Sequence, residues 1–156
     1  VSDPSGAVQA GLIARYRGDS TLQGILSGYN SAIAAPEWNI FDQGGAANIV
    51  PPPKPPYVYV NQILNTPGSF MSMGKDAKDI RMLINVFTQT DGFYQALAIM
   101  ARIYDLSVSA AGASALTLSG FNHIWTWFEN RTEQEKTTDV LTQQLSDRYN
   151  FQITVT

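Results

Sequence analysis

Five of the chain's prolines fall within six positions, in the run Pro51-Pro52-Pro53-Lys54-Pro55-Pro56. Proline offers no backbone N–H to a helix or a sheet ladder and its ring fixes φ, so this run is neither helix interior nor central strand. It reads as a stiff polyproline-like segment rising about 3 Å per residue. The character changes at once after it. Tyr57-Val58-Tyr59-Val60-Asn61-Gln62-Ile63-Leu64 is aromatic and β-branched and reads as a strand, ended by Pro67-Gly68. Before it, from 27 to 56, Gly, Ala, Asn and Pro dominate, with Trp38, Ile40 and Phe41 as isolated anchors. The proline run is therefore read as a rigid lead-in to a strand; a ligand for a small recognition domain is the competing reading.

Upstream, Asp3 suits a helix N-cap and Pro4 the first helical position, where no N–H is needed. Val8, Leu12 and Tyr16 recur every four residues with Ile13 beside them. Arg15 and Arg17 complement the helix C-terminus and Gly18 stops it. Asp19 caps a second short turn carrying Leu22, Ile25 and Leu26. Downstream, residues 69–79, with Met71, Met73 and alternating Lys and Asp, read as a loop or hairpin tip. Residues 80–88 read as a strand with Ile80, Met82, Ile84 and Val86 on one face and Leu83 and Phe87 on the other, which places it centrally. Thr90 or Asp91 caps a helix whose stripe is Phe93, Leu97, Met100 and Tyr104, with Ala96 and Ala101 permitting close packing.

After an Ala- and Ser-rich connector, His123 to Glu129 alternates as a strand, Trp125 and Trp127 on one face and Ile124 and Phe128 on the other. The clearest alternation sets Tyr149, Phe151, Ile153 and Val155 against Arg148, Asn150, Gln152 and Thr154, a half-buried strand. The polar stretch 130–147 joins these two strands, so a long hairpin arm is preferred to a short helix. The expectation is one domain over 1–156, an α+β two-layer sandwich. Its mostly antiparallel sheet of four to five strands carries two helices on one face, with the Pro-rich loop 27–56 and the arm 130–147 projecting.

Groups that do chemistry are scarce. With 156 residues, 44% of them hydrophobic, the chain can bury a core without staples. Only 15% are charged, which suits a surface partly covered by other subunits. Ten basic against 13 acidic residues give a net charge of −3, so long-range attraction to nucleic acid or anionic membrane is not the main purpose of the surface. The absence of cysteine excludes disulfides, thiolate metal sites and a Cys nucleophile, and a lone histidine, His123, excludes a two-His zinc motif.

His123 reads as structural, and no phosphate-binding glycine loop or serine elbow is present. Asp76/Asp79 and Glu129/Glu133/Glu135 alternate with Lys75, Lys78, Arg131 and Lys136, a self-compensating rim rather than a cation site. No catalytic residue, metal or cofactor is expected. Nor is an export signal or membrane span, which points to a soluble chain. Trp125 and Trp127 are candidates to meet another surface, since interface cores favour aromatics. Cover from the chain's own loop and stacking on single-stranded nucleic acid are the alternatives.

The element order, with Leu22 to Leu26 leading to Trp38-Asn39-Ile40-Phe41, then Pro55-Pro56-Tyr57-Val58-Tyr59-Val60, a central strand, the 93–104 helix and Tyr149-Asn150-Phe151-Gln152-Ile153, resembles a known family. The family is the small tail-terminator, or tail-completion, proteins of long-tailed bacteriophages, with relatives in prophages and gene transfer agents. The resemblance implies a non-enzymatic virion protein of the neck, made in the host cytoplasm. It would form a homohexameric ring that caps the tail tube and meets the major tail tube protein and the head-completion (stopper) protein. Genomic DNA would pass through its lumen without sequence-specific binding. Trp38, Ile40 and Phe41 would then meet the neighbouring subunit, while loops 69–79 (Met71, Met73, Lys75) and 130–142 (Arg131, Lys136) would reach axially. Another neck ring, a small-ligand-binding α+β domain and, last, a hydrolase are the alternatives.

Overall fold

The computed structural model describes residues 3–31, 33, 35–42, 54–67, 77–89, 93–108, 116–137 and 141–156. Helix α1, Pro4–Gly18, starts as its sequence demands: the Asp3 carboxylate accepts the Ser5 N–H at 3.1 Å, and Val8, Leu12 and Tyr16 are fully buried. The expected short turn after it is a full helix, α2, Ser20–Tyr29, with Leu22 and Leu26 in the core. Asp19 explains the gain. Its carboxylate accepts the Leu22 N–H at 2.7 Å and two bonds from Arg102 at 2.6 and 3.0 Å, and this guanidinium holds the carboxyl below its ordinary range.

Helix α3, Tyr94–Val108, is rotated from the expected stripe. Ala96, Ile99, Met100, Ile103 and Ser107 face inward, whereas Leu97 and Tyr104 are each 41% exposed. Both stripes are apolar, but the one with small residues at its ends lets the helix approach α1. There the Tyr16 hydroxyl and Ser107 Oγ share a 2.6 Å hydrogen bond. Burial of Tyr16 pushes its phenol well above the ordinary tyrosine value.

Among the described residues the sheet has six strands, not four or five: β1 Ile40–Asp42, β2 Tyr57–Pro67, β3 Ala77–Thr88, β4 Thr117–Leu118, β5 Phe121–Thr137 and β6 Leu141–Val155. Their spatial order is β1-β2-β3-β6-β5-β4, with β1 parallel to β2 and every other pair antiparallel. β1 lies inside the span expected to be loop. Pro51 to Pro53 lie outside the described residues. Lys54 to Pro56 is held by amides, Asn39 donating to the carbonyls of Lys54 and Pro56 and Asn30 to that of Pro55.

The 130–147 arm is a hairpin, paired from Asn130↔Arg148 to Thr137↔Leu141. β3 and β6 are central, and Val58, Val60, Ile80, Met82, Ile84, Val86, Leu145, Tyr149, Phe151 and Ile153 form the fully buried sheet side of the core. Each such side chain contributes on the order of 1.5–3 kcal/mol. Gly11 lets β4 lie against α1, since a Cβ there would sit 2.8 Å from Leu118 Cδ2 and 3.2 Å from the Thr117 carbonyl oxygen.

β6 departs from half burial. Asn150 and Gln152, on the face away from the helices, are each 2% exposed. The reason is position: β6 runs between two long strands, and the Arg81–Glu129 ion pair at 2.9 Å joins β3 to β5 across it. Gln152 further donates to the Asp79 carboxylate at 3.3 Å.

Candidate interaction surface

Two surfaces stand out among the described residues. The first is the sheet face away from the helices. At its β1 end Phe41, Tyr57, Tyr59 and Phe87 pack ring on ring with centroids 5.1 to 6.3 Å apart. Towards the centre it turns to neutral polar groups: Ser146 donates to Asn85 at 2.6 Å, and Gln144 donates to both at 3.0 and 3.1 Å. At its far end lie Trp125, 60% exposed, and the half-buried Trp127, which register places opposite Gln152 and Asn150.

The second surface is a flank where α3 meets β5. Tyr104 packs edge-on against Phe128 at 6.2 Å, and Leu97 and Ala101 continue the helix side of it. Along β5, Ile124 and Phe128 are 41% and 37% exposed. The pairing slips at Ile124 and at Glu129, so two β-bulges break the expected alternation. They turn apolar side chains outward that a regular strand would hide.

The sequence-derived site residues scatter. Ile40 is fully buried and Phe41 is 3% exposed, so both are committed to this chain's own packing. Trp38 lies in the 3₁₀ turn Pro36–Asn39 and Lys136 near the end of β5, where only their backbones are described. Met71, Met73 and Lys75 lie outside the described residues. Arg131 does not simply reach into solvent: it grips the fully buried Asp147 through two bonds of 2.6 and 2.8 Å, and Tyr149 adds a third at 3.1 Å. Of the ten, Trp125, Trp127, Arg131 and Lys136 lie on one strand, β5, and the two tryptophans share its face away from the helices. Sequence reasoning missed Tyr104 and Phe128; the signal was the second apolar stripe on α3.

His123 is engaged at both ring nitrogens. Nδ1 accepts the Leu116 N–H at 3.0 Å and Nε2 lies 2.6 Å from Thr126 Oγ1, the arrangement of a neutral imidazole. Burial lowers its pKa from 6.5. The unfolded chain therefore binds the proton more readily than the folded one, and stability is full above pH ~6.5 and declines as pH falls through the folded value. Thermal melts between pH 5 and 8 should show this decline in the wild type, while His123→Asn, which keeps an acceptor near Nδ1 but cannot titrate, should be flatter. Parallel profiles would remove His123 as the cause.

The groove found among the described residues adds little chemistry. It is open, of about 420 Å³, and runs along α1 past Gly6, Gln9, Ala10, Ile13 and Arg17. Its polar groups already hold α1 to the sheet, Gln9 donating to the Val60 carbonyl at 2.7 Å and Arg17 to that of Ile40 at 2.7 and 3.0 Å. Among the described residues no three His, Asp or Glu side chains gather as a metal site, and no helix is long and apolar enough to cross a membrane.

The described elements define an α+β sandwich whose helices cover one side of a six-stranded sheet. No protein-family model and no curated protein sequence matches the chain. The fold has a solved counterpart in a chain of the virion of the native gene transfer agent (GTA) particle. That chain superposes with a TM-score of 0.67 at 19% identity, over 98% of this chain and 99% of its own length. The likeness is one of fold, and it runs end to end.

Proposed function

We propose that the chain is a structural virion protein of the phage and gene-transfer-agent kind. Within the particle we place it in the neck, as a hexameric ring on the head-proximal end of the tail tube. The observation that carries the virion reading is the end-to-end fold likeness to a chain of a GTA virion. The neck position and the ring come from the tail-terminator family that the sequence resembles.

The surfaces support association over catalysis. The β5 edge, with Tyr104, Ile124 and Phe128 on its α3 side and Trp125 on its other face, has the aromatic character of a subunit interface. The lone imidazole is tied up inside the fold. A net charge of −3 also suits a conduit, since a ring that passes DNA must not bind its phosphates. The partners are further copies of the chain, the tail tube protein below and the head-completion protein above.

Native mass by light scattering, for the purified protein alone and then with tail tubes, tests the reading. A hexamer, or a monomer that adds six copies to a tube end, is expected. A monomer indifferent to tubes would overturn it.

A further inference from the structure

We infer that the sheet continues from copy to copy: the edge of β2 at 61–67 pairs with the edge of β5 at 123–130 of a neighbouring subunit. The inference rests on the ring reading above and assigns the two surfaces that close it.

Both ends of the sheet are left partly open among the described residues. β1 covers β2 only from Val58 to Val60, and β4 covers β5 only at Phe121 and Asn122. The open stretches lie level with one another across the sheet. Gln62 faces Met82, Met82 faces Tyr149 and Tyr149 faces Phe128; likewise Thr66 leads through Asp79 and Gln152 to Trp125. A rotation about an axis along the strands would thus bring one open edge against the other with little axial shift.

Direction agrees as well. Three successive antiparallel pairings separate β2 from β5, so the two strands run opposite ways. Rotation about an axis along the strands preserves strand direction, and β2 would meet its neighbour's β5 antiparallel, with both ladders satisfied. Two unlike edges joined in this way make a heterologous contact, the kind that closes into a ring.

The side chains fit an occupied edge rather than a guarded one. Solvent-facing edges are normally protected by charges that oppose pairing. Residues 61–67 carry no charge, nor do 123–128, and Glu129 is already tied to Arg81. Beyond Glu129, β5 carries charges at Arg131, Glu133, Glu135 and Lys136. Ile63, 42% exposed on β2, sits at the level of Phe128 and Trp127, so pairing would cover exposed apolar surface from both sides. A bulge at Ile63 and those at Ile124 and Glu129 add the bending that a closed wall requires.

The chain contains no cysteine, so disulfide trapping reads the contact directly. Asn61→Cys and Asn130→Cys share a level and a sheet face, Asn61 facing Leu83, Leu83 facing Arg148 and Arg148 facing Asn130, and Thr132→Cys on the same face serves as a second probe for strand tilt. Under mild oxidation of the full chain, alone and on tail tubes, mixing Asn61→Cys with a β5 variant should give a covalent dimer that neither variant gives alone. The Asn61→Cys/Asn130→Cys double variant should lose its monomer band to a ladder ending in a closed ring. Self-cross-linking of either single variant as readily as the mixed product would show two-fold packing and overturn the pairing. Absence of the mixed product at both β5 positions would overturn it too. Native mass separates the failures: rings without the cross-link leave the ring standing with its edges misassigned, whereas cross-linked open chains keep the edges and remove the ring.

Discussion

Arg131→Ala is expected to cost about 3 kcal/mol of folding stability, a fall of ~6–12 °C in Tm for a chain of this size. The residue carries the look of an interaction arm, a cation in an exposed polar hairpin. Its partner changes the account. Asp147 is fully buried, and the Arg131 guanidinium supplies two of the three hydrogen bonds that reach its carboxylate from neighbouring side chains. Removing the cation strands a buried anion, while the guanidinium's own 33% exposure lets water recover part of the loss. Replacing both partners with apolar residues, as Arg131→Met/Asp147→Leu, should restore most of the stability because no buried charge remains. Calorimetric or denaturant unfolding of the two variants decides it. A single variant as stable as wild type but defective in assembly would return Arg131 to a contact role.

Trp125→Ala should act in the opposite way. Its ring is 60% exposed, so folding stability should change by no more than about 0.5 kcal/mol. If the β5 edge is the subunit contact, its exposed tryptophan is the residue type that most often dominates binding. Truncation should then weaken association by ~30-fold or more, about 2 kcal/mol. Sedimentation across a concentration series, beside a thermal melt, separates the two effects. Undiminished association would take Trp125 out of the contact.

Much of the fold could be read from periodicity where one pattern had no rival. Val8, Leu12 and Tyr16 mark α1 correctly, β3 is central as its two apolar faces require, and the hairpin between β5 and β6 follows from two adjoining strands. α3 carries two apolar stripes, and a period of 3.6 cannot choose between Leu97/Tyr104 and Ile99/Ile103; packing against Tyr16 and the sheet does. β1 has three residues and pairs with a strand on the far side of the proline run, so no local signal announces it. The same limit governs the candidate surface. Trp125 and Trp127 were visible as aromatics on one strand, but the bulge at Ile124 and the Arg131–Asp147 pair arise from register, which is set between strands rather than within them.

The placement of β6 also bears on timing. It is the latest of the six strands along the chain, yet it lies between β3 and β5 and contributes Leu145, Tyr149, Phe151 and Ile153 to the core. At ~5–20 residues per second, the ribosome needs roughly 3–10 s to go from the end of β3 to the start of β6. Throughout that interval β3 has no inner partner and the helices have half a sheet to cover. Only a chain extended through β6 can present the β5 edge in its final shape, so shorter nascent chains are screened out of any assembly that uses it.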